Sequence, residues 1–351
     1  MAFDSPRLAL VDAPRQYSGA VPGPFLPPLV RDLPADVLRV RLPTPFAVGA
    51  VNCYVLLGPP VTVVDPGTVI PASLERLGAA LAGAGCSLDD VEQVVVTHAH
   101  PDHFGAAAWV ARRSGSVILA GRAEVAALRG GQGGERRSAM MTALGVPVDL
   151  VGAAAAAATR MGDVVEWADG VTIVPVDDGD VVHAGGRVLT AYVTAGHAPG
   201  HLSLWSDGAK LLMSGDHLLA RIVPLAGLEP SGARTGHRHS LDEYLSSLQR
   251  FVALDPAVVL PGHGEAFTGV DVLARRLRAH HADRCAAVRV VVAELGRPTP
   301  YDVAQRLLWQ AEGSRLLRGV AEVVGHLDLL EQDGDVVAEA EGPVLRYRAA
   351  V

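Results

Sequence analysis

Residues 97–105 read THAHPDHFG, so His98, His100, Asp102 and His103 fall within six positions. Imidazole is the commonest metal ligand, and imidazole mixed with carboxylate suits zinc, manganese or iron. One histidine here would read as a packed core residue. Four polar groups at this spacing read as metal ligands. Further donors follow apolar runs elsewhere: Asp65 in VVDPG, His197 in TAGHAPGH, Asp216 in MSGDHL and His263 in LPGHGE. Each is flanked by glycine or proline, the pattern of a site carried on loops at one edge of packed sheets.

The elements that must hold these residues are also readable. VEQVVV (91–96) is a buried strand; His98 to His100 leave its end, and Pro101 stops it so that Asp102 and His103 open a helix. VNCYVLLG (51–58) and VTVVD (61–65) flank Gly58-Pro59-Pro60 as a hairpin. Residues 72–85 and 104–115 have helical spacing, and strand signals recur at 116–121, 171–176, 187–194, 201–206, 210–216 and 257–264. Residues 122–169 carry alanine, leucine and methionine at helical spacing. They form an inserted segment, either extra core or a wall over substrate. A long helix (269–295), helical stretches at 299–309 and from 314, and a strand pair around QDGD end the chain in a winged-helix-like tail. The expected division is a proline-rich arm (1–37), a main domain (38–275) that includes the insert, and the tail (276–351).

Asp65, the His-x-His-x-Asp-His run at 98–103, His197, Asp216 and His263, in this order, closely resemble the metallo-β-lactamase superfamily over roughly residues 38–270. The resemblance implies an α/β fold, the four-layer αββα sandwich of two mixed sheets with helices outside. It implies that His98, His100 and His197 hold one metal, that Asp102, His103 and His263 hold a second, and that Asp216 bridges them. Asp65 would lie behind these ligands and orient them or a bound water, so catalytic roles attach to Asp65 and Asp102. The implied cofactor is two divalent ions, zinc first, with iron or manganese as alternatives. Sharing a hydroxide about 3.5–4 Å apart, they would direct it at an electrophilic carbonyl or phosphorus.

Within the superfamily the chain looks most like glyoxalase II and the lactamase-B-like hydrolases, and its tail resembles the branch that includes an endoribonuclease. True metallo-β-lactamases lack the bridging aspartate, so Asp216 argues against β-lactam hydrolysis. The expected function is a dinuclear hydrolase of a small ester or thioester. The alternatives are a phosphodiesterase or endoribonuclease with the same metals, and a persulfide dioxygenase with one iron on His98, His197 and Asp216.

Composition bounds the partners. With 351 residues, 49% hydrophobic and 19% charged, the chain can bury a sizeable core. A net charge of −8 leaves no basic footprint for nucleic acid. The stretch 283–351 has eight arginines, no lysine and eleven acids, a net of −3, whereas nucleic-acid readers are usually basic. A small-molecule substrate is expected, nucleic acid is not, and apolar surface on the insert and tail leaves a homodimer open. Cys53, Cys86 and Cys285 are odd in number and widely spaced, and read as reduced. The start has no signal-peptide pattern and no apolar run reaches about eighteen residues, so a cytoplasmic protein without a membrane span is expected. His201 and His217 read equally as supports or packing. His237 and His239 read as an exposed polar turn, His280 and His281 as helical residues within reach of the site, and His183 and His326 as structural.

Overall fold

The computed structural model describes residues 27–131, 134–230, 237–308 and 313–350; residues 1–26 of the expected arm lie outside these. Along the chain run β1 (Leu29–Val30), β2 (Val37–Leu42), β3 (Val51–Leu56), β4 (Thr62–Val64), α1 (Pro71–Gly83), β5 (Gln93–Val96), α2 (Pro101–Phe104), α3 (Ala107–Ser114) and β6 (Val117–Gly121). The insert follows as α4 (Val125–Leu128), α5 (Gly134–Ala143) and α6 (Val148–Arg160), before β7 (Ile173–Val176), β8 (Val181–Ala184), β9 (Arg187–Val193), β10 (Leu202–Ser206) and β11 (Leu211–Gly215). Then come α7 (Ser240–Leu254), β12 (Val258–Pro261), β13 (Ala266–Phe267), α8 (Val270–Leu295), α9 (Pro300–Leu307), α10 (Gly313–Gln332) and the hairpin β14 (Val336–Glu341) and β15 (Val344–Ala349).

Two mixed sheets form. The first has the order β2-β3-β4-β5-β6-β7, parallel from β4 onward. The second has the order β1-β13-β12-β11-β10-β9-β8, with β11 and β12 as its parallel pair. Side chains alternate across a strand, so the apolar run of β5 serves two cores. Val94 and Val96 pack with Leu77 and Leu81 of α1 and Val110 of α3. Val95 turns the other way, toward Leu189, Leu202 and Leu260 of the second sheet. On that sheet's far side Trp205, Leu212, Val259 and Phe267 meet Leu241, Tyr244, Leu248 and Phe251 of α7 and Leu273 and Leu277 of α8. The layers are therefore helix, sheet, sheet, helix, as the resemblance implies. Helix α7 had no counterpart among the sequence expectations, although its buried residues fall at helical spacing.

A further core joins parts distant in sequence. Met140, Leu144, Val146 and Val151 of the insert pack with Val288 and Val292 of α8, Val303 of α9, Val320 and Leu327 of α10 and Tyr347 of β15. The Leu144 carbonyl accepts the Tyr301 N–H at 3.1 Å. No helix among the described residues is long and apolar enough to cross a membrane, and the three cysteines are free.

The tail buries polar groups too. His237, expected in an exposed turn, is fully buried, with Nε2 2.9 Å from Asp328 Oδ1 on α10. A carboxylate hydrogen-bond partner on a distant helix makes that burial tolerable, and no local pattern signals it. His326 Nδ1 donates to the Glu322 carbonyl at 2.7 Å, so its Nε2 is left to accept from His281 Nδ1 at 3.1 Å. A neutral pair of rings satisfies this geometry. Burial lowers His326 to about 4 and His281, which also faces His326, to about 2. Below pH 6.5 the unfolded chain takes up protons that these two rings refuse. Stability should fall as pH drops from about 6.5 toward 4, by roughly 1 kcal/mol per pH unit for each ring. Urea unfolding of the metal-stripped chain at pH 7 and pH 5 checks this: His326→Asn should show a smaller loss on acidification than the unsubstituted chain, and equal losses would contradict it.

Candidate metal centre

The predicted donors all sit where strands end. Asp65 follows β4, His98 and His100 follow β5, and Asp102 and His103 lie in α2, begun by Pro101. From the second sheet come His197 after β9, Asp216 directly after β11 and His263 after β12. The carboxyl ends of these strands meet at one edge of the sandwich, the usual place for a site in an open α/β sheet.

The structure gathers all seven predicted ligands. One ligand atom each from His98, His100 and His197 lies within 4.8 Å of the others; the same holds for Asp102, His103 and His263, and for His98, His103 and Asp216, which links the two trios. Asp216 Oδ2 is 3.4 Å from His103 Nε2, 3.4 Å from His263 Nε2 and 3.7 Å from His197 Nε2. Asp102 Oδ2 is 3.2 Å from His263 Nε2.

Outer hydrogen bonds decide which nitrogen of each ring faces inward. Asp65 is 2% exposed, and its Oδ1 and Oδ2 accept the Thr97 N–H (2.8 Å) and hydroxyl (2.7 Å). Since that hydroxyl proton is given to Asp65, His98 Nδ1 must donate to Thr97 Oγ1 at 3.0 Å. His103 Nδ1 donates to Asp65 Oδ2 at 2.8 Å, His197 Nδ1 to the Leu225 carbonyl at 2.8 Å and His263 Nδ1 to the Ala50 carbonyl at 2.9 Å. All four rings thus turn an Nε2 lone pair into the cluster.

This donor set fits a cation. His100 Nδ1 stands 2.8 Å from His98 Nε2 and 3.0 Å from His197 Nε2, and a single proton on it cannot satisfy both lone pairs. Nitrogens bonded to one metal at about 2 Å lie about 3 Å apart. His103 Nε2, His263 Nε2 and Asp216 Oδ1 are buried without any hydrogen-bond partner. Such atoms cost several kcal/mol unless charge or protons compensate. Burial alone would lower His263 and His103, but the adjacent carboxylates outweigh it, raising His263 to about 10 and His103 well above its ordinary value. Burial would likewise raise Asp102, yet His103 and His263 hold it to about 2. Burial beside other imidazoles lowers His98 and takes His100 to about 3. A divalent cation would compete with protons on His103 and His263.

Several supports carried no sequence signal. Asn52 Nδ2 donates to the Pro261 and Gly264 carbonyls, each at 2.8 Å, and the Tyr54 hydroxyl donates to Pro261 at 2.8 Å, which ties the first sheet to the loop of His263. His201 Nε2 accepts the Asp216 N–H at 3.1 Å, so of the two histidines left open it is a support. A Cβ on Gly262 would stand 2.2 Å from Asp216 Oδ1, so only glycine lets the two strand ends meet. Asp65 itself has φ +52°, a left-handed backbone that aspartate tolerates better than most residues. His280 and His281 line a small cavity with Val223, Leu225 and His326.

The chain matches the family model described as metallo-beta-lactamase superfamily over residues 47–263. It is 29% identical over 326 residues to the Bacillus subtilis (strain 168) protein named "Probable metallo-hydrolase YqjP", covering 89% of this chain and 98% of that relative. A metallo-beta-lactamase family protein of Thermus thermophilus has a similar solved structure, with 25% identity and a TM-score of 0.76 over 91% of this chain and all of that one. A beta-lactamase domain protein of Burkholderia ambifaria is also 25% identical, with a TM-score of 0.73 over 91% of this chain and 93% of its own.

Asp65→Ala removes the acceptor that holds His103 and Thr97. Metal affinity should fall roughly 10–100-fold while the chain stays folded. Chelator competition and circular dichroism check this, and unchanged affinity would contradict the role assigned to Asp65.

Proposed function

The chain belongs to the metallo-beta-lactamase superfamily and is a metal-dependent hydrolase, and from that premise we propose that it uses two divalent metals to cleave a small ester or thioester, in the manner of the glyoxalase II branch. The observation that carries this reading is Asp216 Oδ2, within 3.4–3.7 Å of Nε2 of His103, His263 and His197 and so touching both trios. On this reading His98, His100 and His197 hold the first ion, Asp102, His103 and His263 the second, and Asp216 both. Five imidazoles and two carboxylates without a thiolate suit zinc, with iron or manganese as the next choices.

Ions so held would supply the charge that ionises a water near neutral pH and that offsets charge building on the substrate oxygen. The chain's own residues do the rest. Asp65, Thr97 and the Leu225 and Ala50 carbonyls hold the rings, so little reorganisation remains for the reaction. Of the seven ligands, His100 and His197 keep partial exposure and the others are buried, so substrate approaches across those two rings and water reaches the remainder poorly.

The tail supports a small substrate over a polyanion. Arg284, Arg297, Arg306, Arg346 and Arg348 each pair with a glutamate within 3.2 Å, and Arg289 lies 3.8 Å from Asp335. Guanidinium groups already engaged are poor phosphate clamps. We read the tail as a winged-helix-like packing module and nucleic acid as no partner. Free thiols agree with a reducing, cytoplasmic setting.

Elemental analysis of purified chain, with rates on S-acyl thiols, lactones and bis-p-nitrophenyl phosphate, tests the proposal. Two metals per chain are expected, with thioester or ester turnover exceeding phosphodiester turnover by roughly a hundredfold or more, about 3 kcal/mol. Asp216→Ala should lower turnover by about a thousandfold or more, roughly 4 kcal/mol. One iron per chain with oxygen uptake, or faster phosphodiester cleavage, would overturn it.

A further inference from the structure

One buried carboxylate lies behind the cluster and belongs to none of the superfamily motifs. Glu124 ends a short 3-10 turn, Arg122–Glu124, directly after β6, and is 3% exposed. Its Oε2 accepts the Ala99 N–H at 2.9 Å and its Oε1 accepts the Gly200 N–H at 2.6 Å. Ala99 is the residue between His98 and His100. Gly200 lies in the turn that carries His197, one residue before His201, whose ring accepts the Asp216 N–H. A single side chain thus ties the ligand turn of the first sheet to the ligand turn of the second.

The surrounding packing leaves no slack. A Cβ on Gly121 would stand 1.9 Å from the Gly200 carbonyl oxygen, and one on Gly200 would stand 3.1 Å from Glu124 Cγ. The end of β6 and the His197 turn therefore touch backbone to backbone, with the carboxylate across the seam. The other ligand rings have outer anchors of their own. His98 leans on Thr97, His103 on Asp65, His197 on Leu225 and His263 on Ala50. His100 has none among the described residues; its ring nitrogen Nδ1 meets only His98 and His197. Its placement rests on the backbone of the 98–100 turn, and Glu124 grips that backbone at Ala99.

We infer that Glu124 is a positioning residue for the first ligand trio: its two backbone hydrogen bonds set how far His98 and His100 stand from His197, while neither bond goes to Asp102, His103 or His263. This inference rests on the metal-pair reading above. It distinguishes Glu124 from an ordinary buried structural carboxylate, whose loss would lower stability without choosing between the two trios.

The test is zinc titration of the metal-stripped full chain against a chromophoric chelator, with thermal unfolding of the same samples. His100→Ala and His263→Ala identify which binding phase belongs to which trio. Glu124→Ala, which loses both acceptors, should weaken the His100-dependent phase roughly 10–100-fold and leave the His263-dependent phase within about threefold. Glu124→Gln keeps one acceptor and sets an amide N–H against the other backbone N–H, so it should fall between. Gly121→Ala, which leaves Glu124 in place but forces Gly200 away, should weaken the same phase. Equal weakening of both phases, or no change in either with the chain folded, overturns the assignment of Glu124. If Glu124→Ala does not fold, Glu124→Gln and Gly121→Ala decide the matter by the same readout. A single phase in the unsubstituted chain overturns the metal-pair reading first, and this inference with it.

Discussion

Buried lone pairs aimed at one another are an electrostatic problem that the whole fold is arranged around. His100 Nδ1 stands 2.8 Å from His98 Nε2 and 3.0 Å from His197 Nε2, and His103 Nε2, His263 Nε2 and Asp216 Oδ1 lie in the same cluster with no protein hydrogen-bond partner. In a low-dielectric interior, acceptors facing acceptors are unfavourable, and positive charge at their centre reverses the sign. Protons on His103 and His263 supply part of it, which is why the carboxylates drive those two rings upward against burial. Divalent cations would supply it more completely. Each outer hydrogen bond, from Asp65 through Thr97 to the Leu225 and Ala50 carbonyls, serves to keep the lone pairs pointed inward.

Two sheets are needed because neither alone brings enough strand ends to one place. The first delivers Asp65 and the 98–103 run from neighbouring parallel strands. The second delivers Asp216 and His263 from its parallel pair β11 and β12, and His197 from β9, which runs in the same sense as β11 across β10. The core between the sheets sets their separation, and Asn52, Tyr54 and Glu124 cross from one to the other at the site. Packing and chemistry are thereby coupled: a Cβ at Gly262 or Gly121 acts on the ligands through backbone contact alone.

Much of this was legible in the chain before any coordinates, for a local reason. A ligand at a strand end leaves a polar residue after an apolar run, with glycine or proline beside it, and the 97–105 stretch places four such groups together. Most strands of the two sheets followed from their apolar runs, but β1, β8 and β13, at the edge of the second sheet or next to it, had no counterpart among the expectations. What escaped has no residue-type signature. The Leu225 and Ala50 carbonyls are backbone atoms, available at any residue. Glu124 looks like any acid early in a helical insert. His237 sits in a polar stretch that suggests a surface turn, and its partner Asp328 lies far along the chain, on α10. The shared core of Met140, Leu144 and Val151 with α8, α9 and α10 was hidden because each segment shows only its own apolar stripe, not which stripe it meets.

The central claim is that this edge of the sandwich holds two divalent ions with Asp216 between them. Anomalous X-ray diffraction from crystals grown with zinc addresses it most directly. Two peaks are expected about 3.5–4 Å apart, one within bonding distance of His98, His100 and His197, the other of Asp102, His103 and His263, with Asp216 reaching both. A single peak in this cluster, or peaks elsewhere with these side chains unligated, would contradict it.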